Sequence, residues 1–145
     1  MIGLIQRVSS AKVTVNQATI GQIDRGILLL LGIEKNDDTK TAEKLLHKIL
    51  NYRIFSDLQG KMNLSLADTG EGLLVISQFT LAADTKKGLR PSFSSAAPPV
   101  QAKDLYTYFI ATAQLQHPVV QQGCFGADMQ VSLINDGPVS FILNS

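Results

Sequence analysis

Gly26-Ile27-Leu28-Leu29-Leu30-Leu31-Gly32-Ile33 is the stretch on which the fold turns. Apolar on both faces, it reads as a central strand buried from either side of a sheet. A leucine run could also build a helix, but the short length and the bounding glycines favour a strand. The period then changes. Ala42, Leu45, Leu46, Ile49 and Leu50 follow helical spacing, with Asp37 and Asp38 where an N-cap belongs, and this predicts a helix over Thr39–Asn51. Upstream, Met1–Val8 is β-rich and Val13 and Val15 alternate with polar neighbours. Asn16-Gln17 reads as a tight turn into Thr19–Ile23, and Asp24-Arg25-Gly26 as the next turn. Downstream, short strands are expected at Arg53–Phe55 and Leu64–Leu66 around a Gly60 turn, then an apolar strand over Leu73–Leu81. Ala82–Pro99 holds three of the five prolines and reads as a loop. Leu105, Tyr108, Phe109 and Thr112 mark a second helix, Ala102–Leu115, ended by His117-Pro118. Three last strands are expected near Val119–Gln122, Met129–Ile134 and Val139–Leu143. The class is α/β: a mixed sheet with two main helices covering one face, in a single domain spanning 1–145.

Composition bounds the function. A chain of 145 residues buries roughly two thirds of its unfolded surface, enough for a core without staples. Hydrophobic residues make up 45% and charged residues 17%, a globular balance that excludes disorder. With 13 Lys and Arg against 12 Asp and Glu, bulk counterion release cannot hold nucleic acid, so any RNA contact must be local. One cysteine, Cys124, makes no internal disulfide, and two histidines do not compose a zinc site. The first residues carry no signal-peptide pattern, and the longest apolar run falls far short of the ~20 residues of a membrane helix. A cytoplasmic protein without membrane contact, metal or cofactor is expected.

Conventional hydrolytic machinery is missing from the motifs. No Walker loop, no Gly-x-Gly-x-x-Gly and no Gly-x-Ser-x-Gly elbow occurs. His47 sits mid-helix, His117 precedes a proline, and nothing near Cys124 would lower its pKa. Two segments stand out. Ser77-Gln78-Phe79-Thr80-Leu81 closes an apolar strand, where α/β proteins place their chemistry, although it also reads as a strand fading into its loop. Asn135-Asp136-Gly137-Pro138 separates two apolar runs and on composition is a hairpin turn, but a proline directly after the turn glycine is unusual. Lys86-Lys87-Gly88-Leu89-Arg90, in the long loop, is a solvated surface suited to phosphate contacts.

These two segments together resemble the paired signature of the D-aminoacyl-tRNA deacylases. Similar blocks run in order through the chain: Gln6-Arg7-Val8, Gly60-Lys61-Met62-Asn63-Leu64-Ser65, Arg90-Pro91-Ser92-Phe93-Ser94 and Gly126-Ala127-Asp128-Met129-Gln130-Val131. Ser140 departs from the threonine expected after Gly-Pro-Val, and Leu89 replaces a more usual polar residue. The resemblance implies a homodimer whose subunits together close a β-barrel-like core. It implies a tRNA-editing esterase acting at the 3′-terminal adenosine of aminoacyl-tRNA. Gly137-Pro138 would be a cis dipeptide reaching into the partner's pocket and excluding L side chains, held by Arg7. Ser77, Gln78 and Met129 would line that pocket, with the backbone of Phe79 and Thr80 beside the scissile ester. The tRNA's own 2′-hydroxyl would position or activate water. Lys86, Lys87 and Arg90 would touch RNA. Since excluding an L side chain cannot reject a missing one, glycine mischarged on alanine tRNA should also be removed. Thr80 as a covalent nucleophile and a non-catalytic RNA-binding module are the competing readings.

Overall fold

In the computed structural model, which describes residues 1–86 and 88–145, the leucine run forms strand β3 (Gly26–Gly32) at the centre of a sheet. Strand β1 (Ile2–Val15) serves two neighbours along one side, pairing antiparallel with β3 through Ile2–Val8 and with β2 (Ala18–Ile23) through Ala11–Val15. The β1–β2 connection is the expected two-residue turn: Asn16 and Gln17 both have positive φ, 48° and 66°, which matches the twist of the flanking strands. Strand β6 (Gly72–Ser77) lies parallel to β3, and β7 (Val120–Gln122) lies parallel to β6. The sheet curls until β2 approaches β7, where a Cβ on Gly21 would lie 2.7 Å from the Gln122 carbonyl oxygen. The result is a nearly closed, barrel-like sheet.

The central strands are buried on both faces, as their composition predicts. Ile27, Leu29, Leu31, Leu73 and Val75 join one cluster, beneath helices α1 (Thr39–Leu50) and α3 (Pro99–Gln116). Leu28, Leu74 and Ile76 join the other with Val8, Val13 and Ile23, inside the curl. Close approach of β3 to β6 fixes the register at its start: a Cβ on Gly26 would sit 1.9 Å from the Gly72 carbonyl oxygen.

Helix α1 starts where expected, with Asp38 accepting from the Thr41 N–H at 2.8 Å. Helix α3 begins three residues before the expected Ala102, because Pro99 occupies the first turn, where its missing N–H costs nothing. Other boundaries are corrected. The strands expected at Arg53–Phe55 and Leu64–Leu66 are β4 (Phe55–Ser56) and β5 (Met62–Leu64). Leu66–Thr69 is instead a one-turn helix, α2, started by a capping box of Ser65 and Asp68. The strand expected to reach Leu81 stops at Ser77, and Phe79–Ala82 forms a 3₁₀ turn.

The largest correction concerns the C-terminal segment. The two strands and hairpin turn expected there are one strand, β8 (Gln130–Asn144), antiparallel to β1 along its other side. Gln6 faces Ser140 and Val8 faces Asn135, so Asp136, Gly137, Pro138 and Val139 stand opposite the single residue Arg7. The Asp-Gly pair is therefore a bulge within a ladder, which also accommodates a proline without a lost hydrogen bond.

Two outcomes follow. Phe109, on α3, is fully buried in the core shared with α1 and the sheet, so Phe109→Ala should cost about 3–5 kcal/mol in urea unfolding. The Asp68 carboxyl, bonded by Ser65, is held below its ordinary pKa. A depressed folded-state pKa contributes stability above the unfolded value that is lost as pH falls through the folded one. Asp68→Ala should therefore lower the urea midpoint at pH 7 and lower it less at pH 3.

Candidate active site

Strands β3, β6 and β7 all end on the same side of the sheet, and an open pocket of about 740 Å³ lies in the crevice outside their carboxyl ends. Leu31, Ile33 and Ile76 form its floor. One arm is Ser77-Gln78-Phe79, leaving β6; the other is Phe125, Gly126, Ala127 and Met129, leaving β7. Phe93 and the run Ala96–Pro99 close a third side, tied down by main-chain bonds Lys35 N–H to Ser95 O (3.1 Å) and Ala97 N–H to Ile33 O (3.0 Å). Among the described residues the only polar side chains in this lining are those of Ser77 and Gln78.

The Ser77–Thr80 arm turns sharply after the Gln78 N–H donates to the Leu31 carbonyl at 2.8 Å. The Gln78 side chain does not cap the 3₁₀ turn that follows; its Nε2 donates to Thr80 Oγ1 at 2.5 Å. Thr80 is exposed beside the pocket rather than in its lining, and its hydroxyl accepts from the Gln78 side chain. Phe79 is 60% exposed at the rim and meets Phe93 ring to ring at 5.1 Å. Ser77, Gln78, Phe79 and Met129 are thus brought together.

Arg7, Gly137 and Pro138 are brought together elsewhere. Arg7 Nε donates to the Asp136 carbonyl at 3.0 Å and lies 3.2 Å from its Oδ2, while Nη1 donates to the Ile54 carbonyl at 2.7 Å. The guanidinium thereby holds the base of the bulge against the main chain beside β4. Asn135 closes the loop from within: Oδ1 accepts from the Val139 N–H at 2.8 Å, and Nδ2 donates to Ser140 Oγ at 2.9 Å. A threonine at 140 would offer the same oxygen, so the serine preserves this bond. Gly137 has φ +133°, and a Cβ there would lie 2.6 Å from Val139 Cγ2 and 3.1 Å from Arg7 Nη2, so only glycine fits. The Gly137–Pro138 peptide is cis, and both residues are exposed. Neither lines the pocket of its own chain.

The remaining candidates lie apart. Lys86 and Arg90 are exposed on the loop beyond the Asp84–Ser92 bridge, and Lys87 lies outside the described residues. His47 is exposed on α1, whereas His117 is buried with Nε2 2.5 Å from the Glu71 carbonyl oxygen; neither lines the pocket. Sequence reasoning missed Phe125, Pro98, Pro99 and Ala102 as lining, since apolar residues in a loop or at a helix start carry no chemical signal of their own.

The candidate site therefore has two separate parts, an apolar pocket at the carboxyl ends of parallel strands and an arginine-anchored Gly-Pro bulge on β8. Residues 4–144 match the family model described as D-Tyr-tRNA(Tyr) deacylase. The chain is 62% identical over 145 residues to a D-aminoacyl-tRNA deacylase of Stutzerimonas stutzeri, covering all of both chains. It is 64% identical over 143 residues to one of Pseudoalteromonas translucida, covering 99% of each. Among solved structures, a c-Myc DNA Unwinding Element Binding Protein superposes with a TM-score of 0.96 at 41% identity, covering 100% of this chain and 99% of that one. A probable eukaryotic D-amino acid tRNA deacylase shares the fold, with a TM-score of 0.88 at 13% identity over 99% of this chain and 98% of that one. The chain belongs to the D-Tyr-tRNA(Tyr) deacylase family.

Because Arg7 is the side-chain link between the bulge and the Ile54 main chain, Arg7→Ala should release Gly137-Pro138. D-Tyrosyl-tRNA hydrolysis should fall by about two orders of magnitude, the scale of a 1 Å misplacement, and single-turnover rates would measure it.

Proposed function

We propose that this chain hydrolyses the ester of D-aminoacyl-tRNA to free D-amino acid and tRNA, acting in the cytoplasm where charged tRNA is found. Family membership supports the reaction, and the observation that carries the mechanism is the separation of the pocket from the Gly137-Pro138 bulge. Within one chain the bulge points outward and cannot shape its own pocket, so the reading places it in the pocket of a second copy.

Among the described residues strand β8 pairs only with β1, leaving a long open edge, and Ile134 and Ile142 on it are 63% and 65% exposed. An open apolar edge of this length invites pairing with another chain. In the homodimer the carbonyl oxygens of Gly137 and Pro138 face the α-carbon of the aminoacyl group and leave no room for an L side chain. Ser77, Gln78 and Met129 line the site, and the N–H groups of Phe79 and Thr80, uncapped at the start of the 3₁₀ turn, face the ester carbonyl. Donors so placed supply about 3–4 kcal/mol to an oxyanion.

The chemistry then needs no side-chain base. Water attacks the ester carbon, the tetrahedral intermediate expels the ribose oxygen, and the vicinal 2′-hydroxyl of the substrate positions the water and relays its proton. Orientation of this kind is worth about 7–11 kcal/mol. Thr80 is not the nucleophile in this account, since its hydroxyl accepts from the Gln78 amide and, among the described residues, no base is bonded to it. Lys86, Lys87 and Arg90 contact the RNA backbone. A filter that works by exclusion admits glycine, so glycine mischarged on alanine tRNA is a second substrate.

Initial rates on D-tyrosyl-, L-tyrosyl-, L-alanyl- and glycyl-tRNA with a chelator present test the proposal. Fast release of the D and glycyl esters with the L ester intact is expected. Equal release of L-alanyl and glycyl esters would contradict exclusion, and no turnover at catalytic enzyme levels would leave an RNA-binding module. Thr80→Ala should change the D rate less than about tenfold, against several orders of magnitude for a lost nucleophile.

A further inference from the structure

We propose that Tyr106 is a positioning residue that fixes the gap between the two arms of the pocket, and thereby the selectivity for D over L esters. The inference rests on the pocket being the aminoacyl site.

Strands β6 and β7 run in register as far as Val75 and Gln122 and then fork, one branch becoming the Ser77–Phe79 arm and the other the Gly123–Met129 arm. The fork is spanned by one main-chain bond beyond the register, Gly123 N–H to the Val75 carbonyl at 2.9 Å. Tyr106, reaching up from α3 and 4% exposed, sits beneath it. Its hydroxyl donates to the Val75 carbonyl at 2.9 Å and lies 3.3 Å from the Gly123 carbonyl, so the single proton is available to either branch. Burial raises the phenol well above its usual pKa, which keeps that proton in place across the working range.

The ring also carries the second arm. Phe125, which lines the pocket, leans on Tyr106 with centroids 5.7 Å apart and planes at 45°. Gly123 lies so close to Met129 that a Cβ would be 2.7 Å from its sulfur and 3.0 Å from Ile76 Cδ1. Movement at Gly123 is therefore passed to Met129 and to the pocket floor. Tyr106 itself does not line the pocket, so it acts through Phe125 and Gly123. A filter that excludes by shape tolerates errors of only about half an ångström, and such sites depend on buried partners that lock the lining groups.

The test is the ratio of D-tyrosyl to L-tyrosyl release by Tyr106→Phe, which keeps the ring and removes the oxygen. A ratio is unaffected by the fraction of protein that is folded, so a purely structural loss would leave it unchanged. The expected result is a fall in the ratio of about tenfold or more, with a control such as Ile49→Val, on the buried face of α1, losing stability but keeping the ratio. A selective wild type with an unchanged ratio in Tyr106→Phe overturns this inference alone. An unselective wild type overturns the parent reading, and this one with it.

Discussion

The burial of β3 and β6 on both faces is the constraint from which the rest of the structure follows. Leu29 and Val75 look toward the helices while Leu28 and Leu74 look into the curl, so neither strand can shift by one residue without exchanging its two cores. Parallel pairing of β3 with β6, and of β6 with β7, then brings three carboxyl ends to one place. The pocket is the space those ends leave. Its apolar lining follows from the same burial, since Leu31 and Ile76 belong to the buried strands, and Ile33 directly follows β3, before they belong to the site.

The second constraint is Arg7. Half-buried and set in β1, it faces four residues of β8 where an ordinary ladder would offer one. Its three polar contacts, to Asp136 twice and to Ile54 once, convert what would be a slack loop into a defined projection. The proposal that this projection works in another subunit joins two otherwise unconnected features, a pocket whose described lining holds no acid, base or charge and an outward-pointing bulge without a pocket. On that reading the protein contributes shape and orientation, and the substrate contributes the reactive hydroxyl.

Much of this was legible in the residues. The all-apolar run of β3 and the helical spacing of Ala42 to Leu50 declared the α/β class, and the Asn16-Gln17 turn was placed to the residue. The failures have local causes. Ser65 and Asp68 form a capping box that the local β pattern conceals, so the strand expected over Leu64–Leu66 runs into the first residue of α2. Asp136-Gly137 carries the chemistry of a hairpin turn, yet its partner strand is β1, a hundred and more residues distant in sequence, and long-range pairing overrode the local signal. The Ser77–Thr80 arm and Met129 were marked by their resemblance to a family, and the structure gathers Ser77, Gln78, Phe79 and Met129 into one pocket. Tyr106 could not be singled out, because a tyrosine at helical spacing reads as core until the fork above it is seen.

The central claim, that each pocket is completed by the other subunit's bulge, is tested most directly by mixing two inactive variants. Gly137→Ala would spoil the bulge, and Ala127→Phe would fill the pocket. In a mixed dimer, completion across subunits leaves one site with an intact pocket and an intact bulge. The account predicts that unfolding and refolding the two variants together restores D-tyrosyl-tRNA hydrolysis that neither shows alone. A mixture that forms dimers and stays inactive would contradict it.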